Sequence, residues 1–429
     1  MIEFGPDTLS EVLDVQGFSH GGGRQAVAYR KAGNTKPVIN SECCSCRTIR
    51  GTQNNGTDSS GSGRFGDWSN FNAECMAAQT NASLSNRMVA GSFVWTLFDY
   101  YGEPSKGGFP ELSSSFGVFD LAGAAKAGAS WFKAWWLDVE DAYLAGDNAQ
   151  SDRPPLPNRT TVHLLNDMQP SPDRMTAGGA GGGEGKVHLV KVIAYSSAPA
   201  VELLHNGRSV GISKVPRLGY AEWDVPWAPG NLTAVAVTGS SMPGASHTVV
   251  TAGAPAALRL VTTVPSLATG TGTALVADGL DAGLVSAELV DAAGNFVPSS
   301  GANITFVVVK GPGRLIGVGN GDPKCAEPNQ APWRSSFRGR AAAVVQTDRW
   351  CSGPDWRRKL VHGIDAQGGS RTAVCTTTAA GGSALGSITV MASSPGLTSA
   401  TAEIQVSTEP EADGVLAVAA RSIRAANMP

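Results

Sequence analysis

The Pro-rich stretch Arg153-Pro154-Pro155-Leu156-Pro157 divides the chain into two kinds of sequence, and that break constrains the fold more than any other feature. Three prolines in five residues fix φ and remove backbone donors, so the stretch works as a stiff spacer between elements. Before it, short apolar strands (Leu13 to Phe18, Lys36 to Ile39, Met88 to Leu97) alternate with helix-like stretches, the pattern of an α/β domain. Its clearest helix is Ala122 to Leu137, where Trp131 and Trp135 stand four apart and share a face, as in a helix packed through aromatics. The Gly-, Ser- and Asn-dense run Gly51 to Asn70 reads as a long exposed loop.

After the joint the periodicity changes to that of strands. Val187 to Tyr195, Val201 to Leu204, Glu222 to Val225 and Leu232 to Val237 are strand-length, and His205-Asn206-Gly207-Arg208 offers a tight hairpin turn. A second joint near Gly253 to Ala256 precedes a further set: Ala287 to Val290, Ile304 to Val309, Ala342 to Gln346, Ile388 to Ala392 and Ala402 to Val406. Both sets read as antiparallel sandwiches. At roughly 150 residues per domain, a chain of 429 residues holds about three. The expected divisions are 1–150 for the α/β part, 158–253 and 255–408 for the sandwiches, and 409–429 for a tail.

Charged residues are 16% and the net charge is -3, so there is no basic field for nucleic acid and no polybasic strip for a membrane surface. No apolar run approaches the roughly 20 residues that span a bilayer, and as written the chain carries no signal peptide. The Gly178 to Gly185 tract lacks the GK[ST] that closes a phosphate loop and reads as a hairpin tip. No metal-type spacing accompanies Cys43 and Cys46, so neither cofactor nor metal is expected.

Five Asn-x-Ser/Thr sequons, at Asn55, Asn81, Asn158, Asn231 and Asn303, point together to a secretory route. The seven cysteines fall into Cys43, Cys44 and Cys46, a lone Cys75, and a late group of Cys325, Cys351 and Cys375. In an oxidising lumen a bridge is expected within the late group, Cys325 to Cys351 first because it closes a longer loop, with free thiols left at Cys43, Cys44 and Cys46; the alternative is that all seven are reduced buried thiols.

The strand Lys36 to Ile39 runs into Asn40-Ser41-Glu42, which places a carboxylate at the C-terminal rim of a parallel strand, where barrel enzymes do their chemistry. The segment KPVINSECCSCRTIRG resembles the nucleophile motif of family 2 glycoside hydrolases, a strand ending in Ser/Thr-Glu with Arg-Gly following. GSFVWTLFDYYGEP and SSSFGVFDLAGAAKAG resemble that family's last barrel strand and closing helix. VELLHNGRSVG, YAEWDVPWAPGNLTAVAV and TAGAPAALRL resemble its first accessory sandwich, and GRLIGVGNGDP and ASSPGLTSATAEIQV the next, so the likeness runs from about Leu13 to Val406.

The resemblance implies a multidomain α/β plus all-β chain: the C-terminal part of a (β/α)8 TIM barrel followed by two immunoglobulin-like β-sandwiches. It implies a retaining, β-galactosidase-like glycoside hydrolase with Glu42 as nucleophile and a carbohydrate substrate. Trp95 would be the aromatic floor for the sugar or an ordinary core Trp. Asp99 and Glu103 would accept sugar hydroxyls or serve in salt bridges and loop caps. His20 stands where the family has a Tyr that hydrogen-bonds the nucleophile, and serves either that role or none.

The family's acid/base Glu follows an Asn, and no Asn-Glu dipeptide occurs in these 429 residues. A general acid contributes about 10² to 10⁴-fold, so the chain alone is expected to show no appreciable turnover. The missing carboxyl would come from an upstream half, or the chain is an inert carbohydrate-binding remnant, with self-association the other partnership to consider. Glucuronidases of the family carry an Asn and a Lys before the glycine matching Gly117; Ser114 and Phe116 stand there in this sequence, which favours a neutral sugar, galactose first.

Overall fold

Strand β2 (Val38–Cys43) lies at the centre of a three-stranded parallel sheet, between β1 (Gln16–Ser19) and β3 (Val89–Val94). The computed structural model describes residues 12–19, 22–50, 76–77, 80, 89–104, 108–145, 160–165, 189–238, 245–267, 271–298, 301–348, 362–364, 370–372 and 384–407. Helix α1 (Gly22–Lys31) connects β1 to β2 and packs Ala26 and Tyr29 on Phe18 and Val38, the βαβ arrangement that parallel pairing requires. Helix α2 (Ala127–Ala145) follows β3. It starts five residues later than its periodicity predicts, because the Asp120 carboxylate accepts hydrogen bonds from Ala122 N and Ala124 N, both at 2.9 Å, and holds that stretch as a turn.

Contacts divide the chain into two compact units, Met1–Thr251 and Ala252–Pro429. In the first, strands β4 (Val162–Leu164), β5 (Leu189–Ser196), β6 (Ala200–His205), β7 (Arg208–Lys214), β8 (Ala221–Pro226), β9 (Asn231–Val237) and β10 (Ser246–Val250) form two antiparallel sheets, ordered β10-β9-β6-β7 and β4-β5-β8. Leu203, Leu232 and Ala234 from one sheet meet Val192, Ala194 and Val225 from the other, so alternating apolar residues make a sandwich core. The β6–β7 turn is the one expected: Asn206 and Gly207 both take positive φ, 51° and 77°, which suits the right-handed twist of a hairpin.

The second unit is another sandwich. Strands β11 (Ala257–Val264), β12 (Ala274–Val276), β13 (Ala282–Val290), β14 (Asn303–Lys310), β15 (Gly313–Gly319), β16 (Trp333–Ser335) and β17 (Arg340–Thr347) are followed by a small hairpin of β18 (His362–Ile364) and β19 (Ser370–Thr372). With β20 (Ala384–Ser393) and β21 (Ala400–Ser407) they form sheets ordered β11-β13-β17-β15 and β12-β21-β20-β14-β16. Leu289, Ala341 and Ala343 pack against Ile304, Phe306 and Ala392 between them. The described residues are therefore mostly β with few helices. The Gly51 to Asn70 loop, the proline joint, the Gly178 to Gly185 tract and the 409–429 tail lie outside the described residues.

The cysteine expectation is corrected. Cys43 and Cys44 form a disulfide, Cys46 is disulfide-bonded as well, and Cys325 is a free thiol. The Cys325 Sγ instead faces polar neighbours, with Arg334 Nη1 donating to it at 2.9 Å and Asn320 Nδ2 at 3.5 Å, inside the turn beside Glu327. Cys351 and Cys375 lie outside the described residues.

Candidate active site

Parallel pairing brings the C-terminal ends of β1, β2 and β3 to one rim. Ser19, the last residue of β1, is in register with Glu42, and its Oγ donates to Glu42 Oε2 at 2.8 Å. Ser19 was not singled out by its sequence, since nothing about a Ser at a strand end marks the partner it will meet. His20 lies outside the described residues. From the other side, Trp95 N donates to Cys43 O at 2.7 Å, which continues the β2–β3 pairing past β3 and fixes Trp95 beside the residue after Glu42.

The Trp95 ring is 40% exposed, so it is a surface of the rim rather than part of a core. Its Nε1 donates to Tyr100 Oη at 3.1 Å, the two rings meet edge to face at 5.9 Å, and the Tyr100 hydroxyl in turn donates to Glu103. Burial, followed by the Glu103 and Glu42 carboxylates, pushes the Tyr100 hydroxyl above its ordinary value. Tyr100 therefore feels the charge of both carboxylates while touching Trp95, and the four residues gather at one place. The sequence pointed to Glu42, Trp95 and Glu103; Tyr100, which ties the last two together, it did not.

Asp99 takes a different part. It is 7% exposed, its Oδ1 accepts from Gly117 N at 2.7 Å and its Oδ2 meets Lys126 Nζ at 2.6 Å, so both oxygens are engaged inside the protein. Of its two expected roles the salt bridge is the one observed. Lys126 Nζ also donates to Thr48 O at 2.8 Å and Ser115 O at 3.3 Å, and Arg50 Nε donates to Asp120 Oδ2 at 2.6 Å. The buried Arg50–Asp120 pair thus binds the segment after Glu42 to the segment before α2, with the Arg of the Arg-Gly motif as its cation, and the buried Lys126–Asp99 pair binds the segment after β3 to that same segment. Such pairs fix geometry more than they stabilise, because desolvation offsets most of the attraction.

Ser114 is buried and spent on Tyr100, accepting from its N–H at 3.2 Å through Oγ and donating its own N–H to its carbonyl at 2.8 Å. Gly117 sits so close to the Phe98–Asp99 backbone that a Cβ would lie far inside van der Waals contact with Asp99 N, Phe119 O and Phe98 C. Gly117→Ala is expected to cost about 1–3 kcal/mol or more, since backbone cannot step aside as a side chain can. Thermal unfolding checks this; an unchanged midpoint would contradict the close approach.

With this geometry in view, the comparisons with known proteins take on meaning. The family model described as "Glycoside hydrolase family 2 C-terminal domain 5" matches residues 268–353, and that described as "Domain of unknown function (DUF4982)" matches residues 188–241. A protein of Bacteroides ovatus named Beta-galactosidase BoGH2A is 30% identical over 265 residues, which is 61% of this chain and 26% of that protein. The chain carries a glycoside hydrolase family 2 C-terminal domain and is similar to proteins of that family. A solved β-glycosidase from Bacteroides vulgatus shares its fold, with a TM-score of 0.61 and 20% identity over 92% of this chain and 45% of that one. A solved structure described as a β-glucuronidase from the same family also superposes, with a TM-score of 0.57 and 17% identity over 94% of this chain and 34% of that one. This chain spans about a quarter of the curated relative and less than half of each of these structures.

Proposed function

We propose that these residues are the nucleophile side of a retaining β-glycosidase acting on a neutral, galactose-like sugar, and that β1, β2 and β3 are the last three strands of a (β/α)8 barrel completed by sequence outside these 429 residues. The observation that carries the reading is Glu42 at the C-terminal rim of a parallel strand, held by Ser19 and flanked by the exposed face of Trp95. In this reading the ionised Glu42 attacks the anomeric carbon, the leaving oxygen takes its proton from a second carboxyl about 5 Å away, and water then releases the sugar with retention of configuration. That second carboxyl belongs to the absent strands.

Trp95 offers an apolar face to the C–H face of a pyranose, and Glu103 beside it accepts a sugar hydroxyl. An exposed carboxylate in that position repels a uronate, and neither Ser114 nor Phe116 supplies a charge to grip one. The named β-galactosidase relative supports the same choice. The exposed sequons at Asn231 and Asn303 and the disulfide-bonded cysteines support export from the cell.

The test is mechanism-based trapping in the enzyme completed by its upstream half. A 2-deoxy-2-fluoro-β-galactoside with a good leaving group is expected to label Glu42 on peptide mapping, while its glucuronide counterpart labels poorly. A label on any other residue sinks the assignment, and preferential labelling by the glucuronide reverses the choice of sugar.

A further inference from the structure

The Cys43–Cys44 disulfide links neighbouring residues directly after Glu42. A cross-link between adjacent residues closes almost no loop of the unfolded chain, so the usual stabilisation by chain entropy is nearly absent. What it does constrain is local. Cys44 has φ 66°, the left-handed region, which costs a side chain other than glycine about 1 kcal/mol or more. Both cysteines are 1% exposed, and each is tied into the rim through its carbonyl: Cys43 O accepts from Trp95 N at 2.7 Å and Cys44 O from Cys46 N at 2.6 Å. The bridge therefore holds a bent, unfavourable stretch of backbone at the joint between the Glu42 strand and the Trp95 platform.

We propose that the Cys43–Cys44 bond is a redox-modifiable site on the Glu42 strand, which holds the Glu42–Trp95 joint when oxidised and releases it when reduced by a dithiol. A thiolate of the dithiol attacks one sulfur and expels the other cysteine as a thiol, and the second thiol of the reagent then attacks the mixed disulfide on the reagent's own sulfur and expels the remaining cysteine. The protein gains two electrons and two protons as two thiols, and the reagent leaves as a cyclic disulfide. Cys44 then moves out of the left-handed region, and the Cys43 carbonyl turns away from Trp95 N. Burial means that the reagent enters through local opening of the rim rather than by direct approach. Only the consequence for catalysis rests on Glu42 being the nucleophile; the site itself does not.

The 429-residue chain carries ten Trp, and a fluorotryptophan-labelled sample read by fluorine NMR reports each, with Trp95→Phe identifying the Trp95 signal. Without reductant, mapping under non-reducing conditions is expected to find Cys43 joined to Cys44. With a dithiol on the folded protein, the Trp95 signal is expected to move, and both cysteines to accept an alkylating reagent afterwards. Cys43→Ala/Cys44→Ala should show Trp95 at the reduced position with or without dithiol, which separates this pair from the bridge at Cys46. Alkylation of both cysteines with no reductant overturns the proposal, as does their resistance to the dithiol. So does a Trp95 signal that stays in place after reduction, or that moves equally in the double variant; the wild-type arms decide even where that variant does not fold. None of these readings uses turnover, so they stand apart from the glycosidase assignment.

Discussion

Trp131→Ala is expected to cost about 3–5 kcal/mol of stability, the range for truncating a large buried aromatic. Trp131 is 1% exposed, stacks on Trp135 with ring centroids 6.1 Å apart and an interplanar angle of 9°, and meets Phe132 edge-on at 5.0 Å. Its Nε1 also donates to Leu218 O at 3.2 Å. The cluster around it draws Cys43, Val118 and Phe132 from the α/β part and Ile193 and Tyr195 from the first sandwich. Two losses therefore add: a cavity that neighbouring rings cannot fill, and a carbonyl left without its donor. The shared core also argues against ready removal of the α/β part by protease, which the open set of strands would otherwise invite. Urea unfolding and limited proteolysis check both points, with α2 expected to be cut faster in the variant. Phe109→Ala, at a side chain 88% exposed, should change stability by no more than about 0.5 kcal/mol. A Trp131→Ala variant within about 1 kcal/mol of the parent would show that the two parts do not depend on each other through this ring.

How much of this was legible follows from how far apart the partners lie. The β6–β7 hairpin could be read because Asn206-Gly207 carries its own turn geometry, and the sandwich strands because their alternation is local. Glu42 and Trp95 were named by the family resemblance of the segments that carry them, to which the pattern added only that Glu42 stands near the end of a strand. Arg50 and Asp120 are 70 residues apart, Lys126 and Thr48 78, and Trp131 and Leu218 87; no local pattern announces such pairings. The start of α2 was misread because side-chain capping by Asp120 competes with the helix and leaves apolar periodicity intact. The cysteine expectation weighed loop entropy alone, which says nothing of a bond between neighbours or of a thiol held by Arg334.

Asp99 and His163, both among the described residues of the first unit, are buried titrating groups whose effects on stability run in opposite directions over the same pH range. Burial pushes the Asp99 carboxyl from its ordinary 3.8 up to about 6, in spite of Lys126 beside it. Between these values the folded chain holds a proton that the unfolded chain has released, so the stability contributed is full below 3.8 and lost as pH rises through about 6. Burial, aided by His247, pushes His163 from 6.5 down to about 4. Its ring meets that of His247 at 4.6 Å between centroids, tilted by 30°, and His247 Nδ1 accepts from Leu164 N at 3.0 Å, an arrangement suited to neutral imidazoles. Here the unfolded chain takes up a proton that the folded chain refuses, so the contribution is full above 6.5 and lost as pH falls through about 4. Each shift corresponds to about 3 kcal/mol, and over the shared window the two nearly cancel. Asp99→Asn removes the falling limb, so its stability relative to the parent should rise by about 3 kcal/mol from pH ~4 to ~6. His163→Gln removes the rising limb, so its stability relative to the parent should fall by a similar amount over that window. Urea unfolding of the three proteins across the range reads both differences directly, and curves that run parallel to the parent's would refute the opposition.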